Sequence, residues 1–133
     1  MARILYVESC AVKAERLCAL LEPKGHTVHV VNCAERAMMR LEAEGPYELL
    51  VLGVFLRGMD GAELCRWIEK WSSVKGVRKL AFTWAGSSLP ADLHSGLPRW
   101  LPVDRYLDGV QQPEDLIGAV EEMLSTPRRE APR

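Results

Sequence analysis

The sequence predicts an α/β fold: a single (βα)5 unit forming a doubly wound, five-stranded parallel sheet in a three-layer sandwich. Three observations carry this. Short apolar runs alternate with longer stretches of helical period. Residues 49–56 are the most apolar segment, as a central strand buried on both faces must be. The 133 residues also fit one domain, which at this length buries roughly two thirds of its extended surface and needs no staples. Right-handed crossovers join the strands.

The elements follow in order. Ile4-Leu5-Tyr6-Val7 reads as the first buried strand. Val12, Leu17, Leu20 and Leu21 recur at helical spacing over 12–21, and Lys24-Gly25 supplies a basic last turn and a terminating glycine. The β-branched run 27–31 is a second strand, and 34–43 a helix with Ala34, Ala37, Met38 and Leu41 on one face, stopped by Gly45-Pro46. The central strand 49–56 runs into Arg57-Gly58-Met59-Asp60-Gly61. The next helix carries Leu64, Trp67, Ile68 and Trp71 at i, i+3, i+4, i+7, a stripe that predicts core packing for both tryptophans. Residues 77–83 and 103–107 are the fourth and fifth strands. The last helix opens at Pro113 with Glu114 and Asp115 at the positive end of its dipole, and Leu116, Ile117, Val120, Met123 and Leu124 form its apolar face. The crossover 87–102, with Pro90, Pro98, Pro102 and Gly96, leaves space only for a short helix near 91–95. The domain spans 1–125, and 126–133 reads as a flexible tail.

Composition narrows the function. With 48% hydrophobic and 26% charged residues the chain is neither disordered nor fibrous. Its 17 basic and 18 acidic residues sum to −1, so no positive field favours a polyanion, and no nucleic-acid partner is expected. The basic residues Arg128, Arg129 and Arg133 are interrupted by Glu130 and two prolines and read as a solvated end. No stretch approaches the roughly 20 apolar residues of a membrane span. The sequence opens directly into its first strand with no export signal, so a cytoplasmic location and no membrane partner are expected. Cys10, Cys18, Cys33 and Cys65 form no CxxC and have no histidine at metal-ligand spacing, which favours reduced, largely buried thiols over a zinc or redox role.

Ligands of such a sheet sit at the carboxyl ends of its strands, near the point where strand order reverses. The residues there are Glu8-Ser9-Cys10, Gly53-Val54-Phe55, Thr83-Trp84-Ala85 and Asp108-Gly109-Val110.

From Arg3 to Leu124 the chain resembles a response-regulator receiver domain, a CheY-like, flavodoxin-like fold. The resemblance rests on Ile4-Leu5-Tyr6-Val7-Glu8-Ser9, Tyr47-Glu48-Leu49-Leu50-Val51-Leu52-Gly53, Gly58-Met59-Asp60-Gly61, Leu80-Ala81-Phe82-Thr83 and Asp104-Arg105-Tyr106-Leu107. It implies bacterial signal transduction, in which a histidine kinase passes a phosphoryl group to an aspartate ending the third strand. That reaction uses Mg²⁺ held by this aspartate and an acidic pair after the first strand, a lysine after the fifth, a hydroxyl after the fourth, and an aromatic on the fifth. Cation and lysine neutralise charge on the transferring group.

The chain departs from this pattern at the chemistry. The acceptor position is Gly53, the acidic pair is Glu8-Ser9, the lysine position is Gly109, and Arg57 replaces a proline. Thr83 and Tyr106 stand where the switch hydroxyl and aromatic belong. Glu8, Ser9, Gly53, Thr83 and Gly109 therefore form a vestigial phosphorylation pocket, and no catalytic residue, bound metal or cofactor is expected. Thr83 and Tyr106 read either as a switch pair or as packing residues. Asp60 is a turn residue before it is a displaced acceptor, Asp108 a structural or solvated carboxylate, and Arg57 a solvent-facing cation or a partner for Glu8.

Trp84, Leu89, Leu93, Leu97 and Trp100 flank or line the proline-rich crossover and, with Tyr106, form a candidate protein interface; the alternative is that they cover the sheet edge. The resulting expectation is a non-enzymatic pseudo-receiver that binds another signalling protein without phosphorylation, with a weak homodimer left open. Two alternatives are a phosphorelay receiver using Asp60 and a small-molecule sensor, the latter weakened by the glycine-free loop Glu8-Ser9-Cys10-Ala11-Val12.

Overall fold

The computed structural model describes residues 2–56, 60–71, 76–86 and 101–125. It contains β1 (Arg3–Val7), α1 (Ala11–Leu21), a 3₁₀ turn (Glu22–Lys24), β2 (Thr27–Val31), α2 (Ala34–Glu44), β3 (Leu49–Gly53), α3 (Gly61–Lys70), β4 (Arg78–Trp84), β5 (Arg105–Val110) and α4 (Glu114–Ser125). The strands form one parallel sheet in the order β2-β1-β3-β4-β5.

Alternation along the strands builds a core on each face. Ile4 and Tyr6 of β1, Leu49 and Val51 of β3, and Leu80 and Phe82 of β4 face α1 and α4, whose Leu17, Leu21, Leu116 and Val120 complete that layer. Leu5, Val7, Leu50, Leu52 and Ala81 face α2 and α3, meeting Ala37, Leu41, Leu64 and Ile68. Every residue of β3 is buried, as its uninterrupted apolar sequence requires of the middle strand.

Two glycines fix the local geometry. Gly25, at φ +93°, ends the 3₁₀ turn in the left-handed conformation that a side chain disfavours. Gly61 opens α3 against the end of β3: its N–H donates to the Val54 carbonyl at 2.8 Å, and a Cβ there would lie 2.4 Å from the Gly53 carbonyl oxygen. The start of α3 thus sits directly on the strand end that shapes the site.

Several boundaries differ from expectation. β3 stops at Gly53 rather than at 56: the Val54 N–H makes the last bond to β4, to the Phe82 carbonyl at 2.9 Å, and the pairing ends at Gly53–Phe82. β5 begins at Arg105 and runs to Val110, so Asp108 and Gly109 lie inside the strand and not after it. Trp71 is 45% exposed rather than core: it is the C-cap of α3 and stacks on the half-buried Trp67 with ring centroids 5.5 Å apart. Cys65 is buried, Cys18 and Cys33 half-buried, and Cys10 exposed; burial pushes the Cys65 thiol up to about 12, leaving it inert at neutral pH. The proposed helix near 91–95 and the tail 126–133 lie outside the described residues.

Candidate functional site

Strand order reverses between β1 and β3, which opens the crevice at their carboxyl ends. The parallel register brings Glu8, Gly53, Thr83 and Gly109 to that end of the sheet, with Ser9 exposed beside them.

Glu8 is 6% exposed and accepts three hydrogen bonds from within the chain. Its Oε1 receives the Tyr6 hydroxyl at 3.1 Å and the Trp84 indole Nε1–H at 3.0 Å, and its Oε2 receives the Cys10 backbone N–H at 3.1 Å. The Tyr6 bond follows from i, i+2 geometry, since both side chains leave β1 on one face. Burial first, and the nearby Glu8 charge second, push the Tyr6 hydroxyl far above its ordinary range, which keeps it a proton donor. The Trp84 ring packs edge-on against Phe82 at 4.8 Å, and Lys13 Nζ of α1 lies 4.1 Å from a Trp84 ring centroid.

A second carboxylate organises the opposite face. Between the pairs Phe82–Leu107 and Trp84–Val110, β4 contributes one residue, Thr83, and β5 two, Asp108 and Gly109. This two-against-one bulge has Gly109 at φ +66°. The Gly109 N–H donates to Thr83 Oγ1 at 2.9 Å, and the Thr83 hydroxyl donates to Asp108 Oδ1 at 3.1 Å. The Tyr106 hydroxyl donates to the same Asp108 oxygen. Thr83 is 2% exposed, whereas the Asp108 carboxylate it meets is exposed. The structural reading of Asp108 therefore becomes a specific one: it joins the two residues singled out as a switch pair.

These residues do not fit Mg²⁺. That ion demands near-octahedral oxygen coordination, normally from one or two carboxylates plus waters and phosphate. Gly53 offers no side chain, Ser9 only a neutral hydroxyl, and three of the roughly four acceptor positions of the Glu8 carboxylate already have donors. Among the described residues no cluster of three or more His, Cys, Asp or Glu side chains could hold a metal. The arrangement is also unsuited to an anion, since the Thr83 donor is directed at Asp108 and a bound phosphoryl group would face two internal carboxylates.

Asp60, read from the sequence as a turn residue, caps α3, its Oδ1 accepting the Glu63 N–H at 2.8 Å. Trp84 and Tyr106 are both half-buried, whereas Arg57, Leu89, Leu93, Leu97 and Trp100 lie outside the described residues. Sequence reasoning missed a cleft of about 890 Å³ between α1 and α2 along the β2 edge, where Ala14, Cys18, Val30, Arg36 and Met39 join Glu8 and Ser9. No motif marks it, because its lining comes from residues of α1, β2 and α2 brought together only by the sheet.

Solved structures share this architecture. A signal receiver domain of a signal transduction histidine kinase from Syntrophus aciditrophicus superimposes with a TM-score of 0.79 at 25% identity, over 100% of this chain and 98% of its own. The fold is that of a response-regulator receiver domain. A signal receiver domain of an HD domain-containing protein from Pseudomonas fluorescens Pf-5 is similar at TM-score 0.76 and 25% identity, covering 92% of this chain and 94% of that one. The response regulator TrrA of Thermotoga maritima, solved with Mg²⁺–BeF, matches at TM-score 0.73 and 24% identity over 92% and 99% of the two chains. No protein-family model and no curated protein matches the sequence. The receiver neighbours support a response-regulator signal-transduction domain. No helix among the described residues is long and apolar enough to cross a membrane.

Proposed function

We propose that this receiver-fold domain works in signal transduction as a phosphorylation-independent protein-interaction module, a pseudo-receiver without enzymatic activity. One observation carries the reading: where a receiver needs an acceptor, a cation cage and a free hydroxyl, this chain has Gly53, a Glu8 carboxylate engaged by three internal donors, and a Thr83 hydroxyl bonded to Asp108. Phosphoryl transfer depends almost wholly on positioning and charge neutralisation, and none of those groups stands ready for it. The partner is another signalling protein of the cytoplasm, met at the β4–β5 edge of the sheet, where Trp84 lies on one face and Tyr106 on the other. Output follows partner concentration.

The displaced-acceptor alternative is disfavoured by the capping bond of Asp60, which directs one carboxylate oxygen into the backbone of α3. The test is incubation with Mg²⁺ and a small phosphodonor, followed by intact-mass analysis, beside a receiver with a complete acidic site. An unmodified chain beside a modified control is expected. A phosphoryl adduct on wild-type protein, lost in Asp60→Asn, would overturn the proposal.

A further inference from the structure

We infer that Glu8 is the anchor of an internal latch: its carboxylate holds the Trp84 indole across the end of β3, in the role where the receiver fold suggests a metal ligand. The inference deepens the preceding reading and rests on it only for the meaning of the pocket. β3 lies between β1 and β4 in the sheet, so the bond from Trp84, at the end of β4, to Glu8, just past β1, spans the strand that ends in Gly53. The two residues are 76 positions apart in sequence, and the contact closes over the middle of the sheet rather than along one element.

Each part of the latch has a partner. Tyr6 donates to Glu8 from below on the same face, and its aromatic ring meets Phe82 at 6.5 Å, which in turn buttresses the Trp84 indole at 4.8 Å. Cys10, the N-cap of α1, ties its N–H to the second carboxylate oxygen, and Lys13 from the first turns of α1 covers the Trp84 ring. β1, α1 and β4 are thereby joined through one buried carboxylate. A buried carboxylate demands such satisfaction, and a divalent ion could use this one only by removing Tyr6 and Trp84 from Oε1. Glu8 is a positioning residue: it fixes the Trp84 side chain at the end of β4 through a bond within the chain.

The experiment uses the uniformly ¹⁵N-labelled full chain, with the Trp84 indole Nε1–H resonance assigned by its loss in Trp84→Phe. Glu8→Ala is expected to move that resonance and the Cys10 amide and to speed indole hydrogen exchange about tenfold, the effect of losing one net hydrogen bond. Glu8→Gln keeps an acceptor oxygen in place and is expected to hold the indole near its wild-type position. Titrating wild-type protein with MgCl₂ is expected to leave both resonances unmoved. Saturable Mg²⁺-dependent movement of the Trp84 indole and the Cys10 amide, absent in Glu8→Gln, would overturn the latch. So would an unchanged indole in Glu8→Ala. If Glu8→Ala does not fold, Glu8→Gln and the titration decide alone. Phosphodonor labelling with an unmoved indole would instead sink the phosphorylation-independent reading and leave the latch standing.

Discussion

The Thr83 hydroxyl donates to Asp108 Oδ1 at 3.1 Å, so the buried hydroxyl of β4 is tied to a carboxylate two residues beyond Tyr106 on the neighbouring strand. The Tyr106 hydroxyl meets the same oxygen, and the bulge at Gly109 places that carboxylate within reach of both. An internal anion thus occupies the hydrogen-bonding role that an external one would need.

Removing that anion should loosen this corner. Asp108→Ala leaves the Thr83 and Tyr106 hydroxyls without their shared acceptor. Bonds to charged groups contribute roughly 1.5–3 kcal/mol when sheltered, and the exposed Asp108 side makes about 1 kcal/mol the expected loss. Urea denaturation should show it as a lower midpoint at unchanged m-value. The Tyr106 ring resonances should shift as well, and a variant that matched wild type in both would mean the carboxylate holds nothing.

At Asp60 the distinction is between oxygen and charge. Asp60→Ala deletes the α3 cap and should cost about 1 kcal/mol, whereas Asp60→Asn retains a capping oxygen and should stay within a few tenths of wild type. Equal losses in the two variants would mean that the carboxylate charge, not the cap, stabilises this turn.

How far the sequence reaches is visible in these residues. The five parallel strands and the turn at Asp60 were legible because period, β-branching and turn chemistry are local signals. Glu8, Gly53 and Thr83 were legible because they stand at or beside the carboxyl ends of strands, and Tyr106 because the receiver resemblance places an aromatic on the fifth strand. Their partners were not. Asp108 reaches Thr83 only through a bulge that adds a residue to β5, and a strand bound drawn at 107 hides it. The Glu8–Trp84 bond depends on β3 lying between their strands, a property of the whole sheet. The exposure of Trp71 was missed because periodicity continues past the cap at which the helix ends.

Acid should weaken the α1–α4 contact. Arg16 Nε donates to Glu114 Oε1 at 2.7 Å, and this hydrogen bond is the main cause holding the Glu114 carboxyl below its ordinary range. A depressed folded-state pKa adds stability above the unfolded carboxylate range, lost as pH falls through the folded value. Both groups are exposed, so the effect is small and screened by salt. Urea midpoints of wild type and Arg16→Ala should differ at neutral pH and converge in acid. A gap that persisted at low pH would assign the Arg16 effect to packing.

Restoring a carboxylate at position 53 should not restore a phosphoacceptor. A Cβ on Gly53 would meet only Leu56 Cδ2 at 3.7 Å and the Phe55 carbonyl oxygen at 3.9 Å, both ordinary contacts, so the first carbon of Gly53→Asp fits. The obstacle is the surroundings. Glu8 stays bonded to Tyr6, Trp84 and Cys10, Ser9 supplies no charge, and Thr83 remains directed at Asp108. A lysine at Gly109 would need a side chain at φ +66°, a left-handed conformation costing about 1–2 kcal/mol outside glycine. Gly53→Asp is therefore expected to fold and to show no phosphoryl adduct by intact mass after treatment with Mg²⁺ and a small phosphodonor. The triple variant Ser9→Asp, Gly53→Asp, Asp108→Ala supplies a second acid, an acceptor and a freed Thr83 hydroxyl, and should be the first to gain an adduct. An adduct on Gly53→Asp alone would mean that Glu8 leaves the Trp84 indole to hold the cation, and that the missing aspartate was the sole barrier to the chemistry.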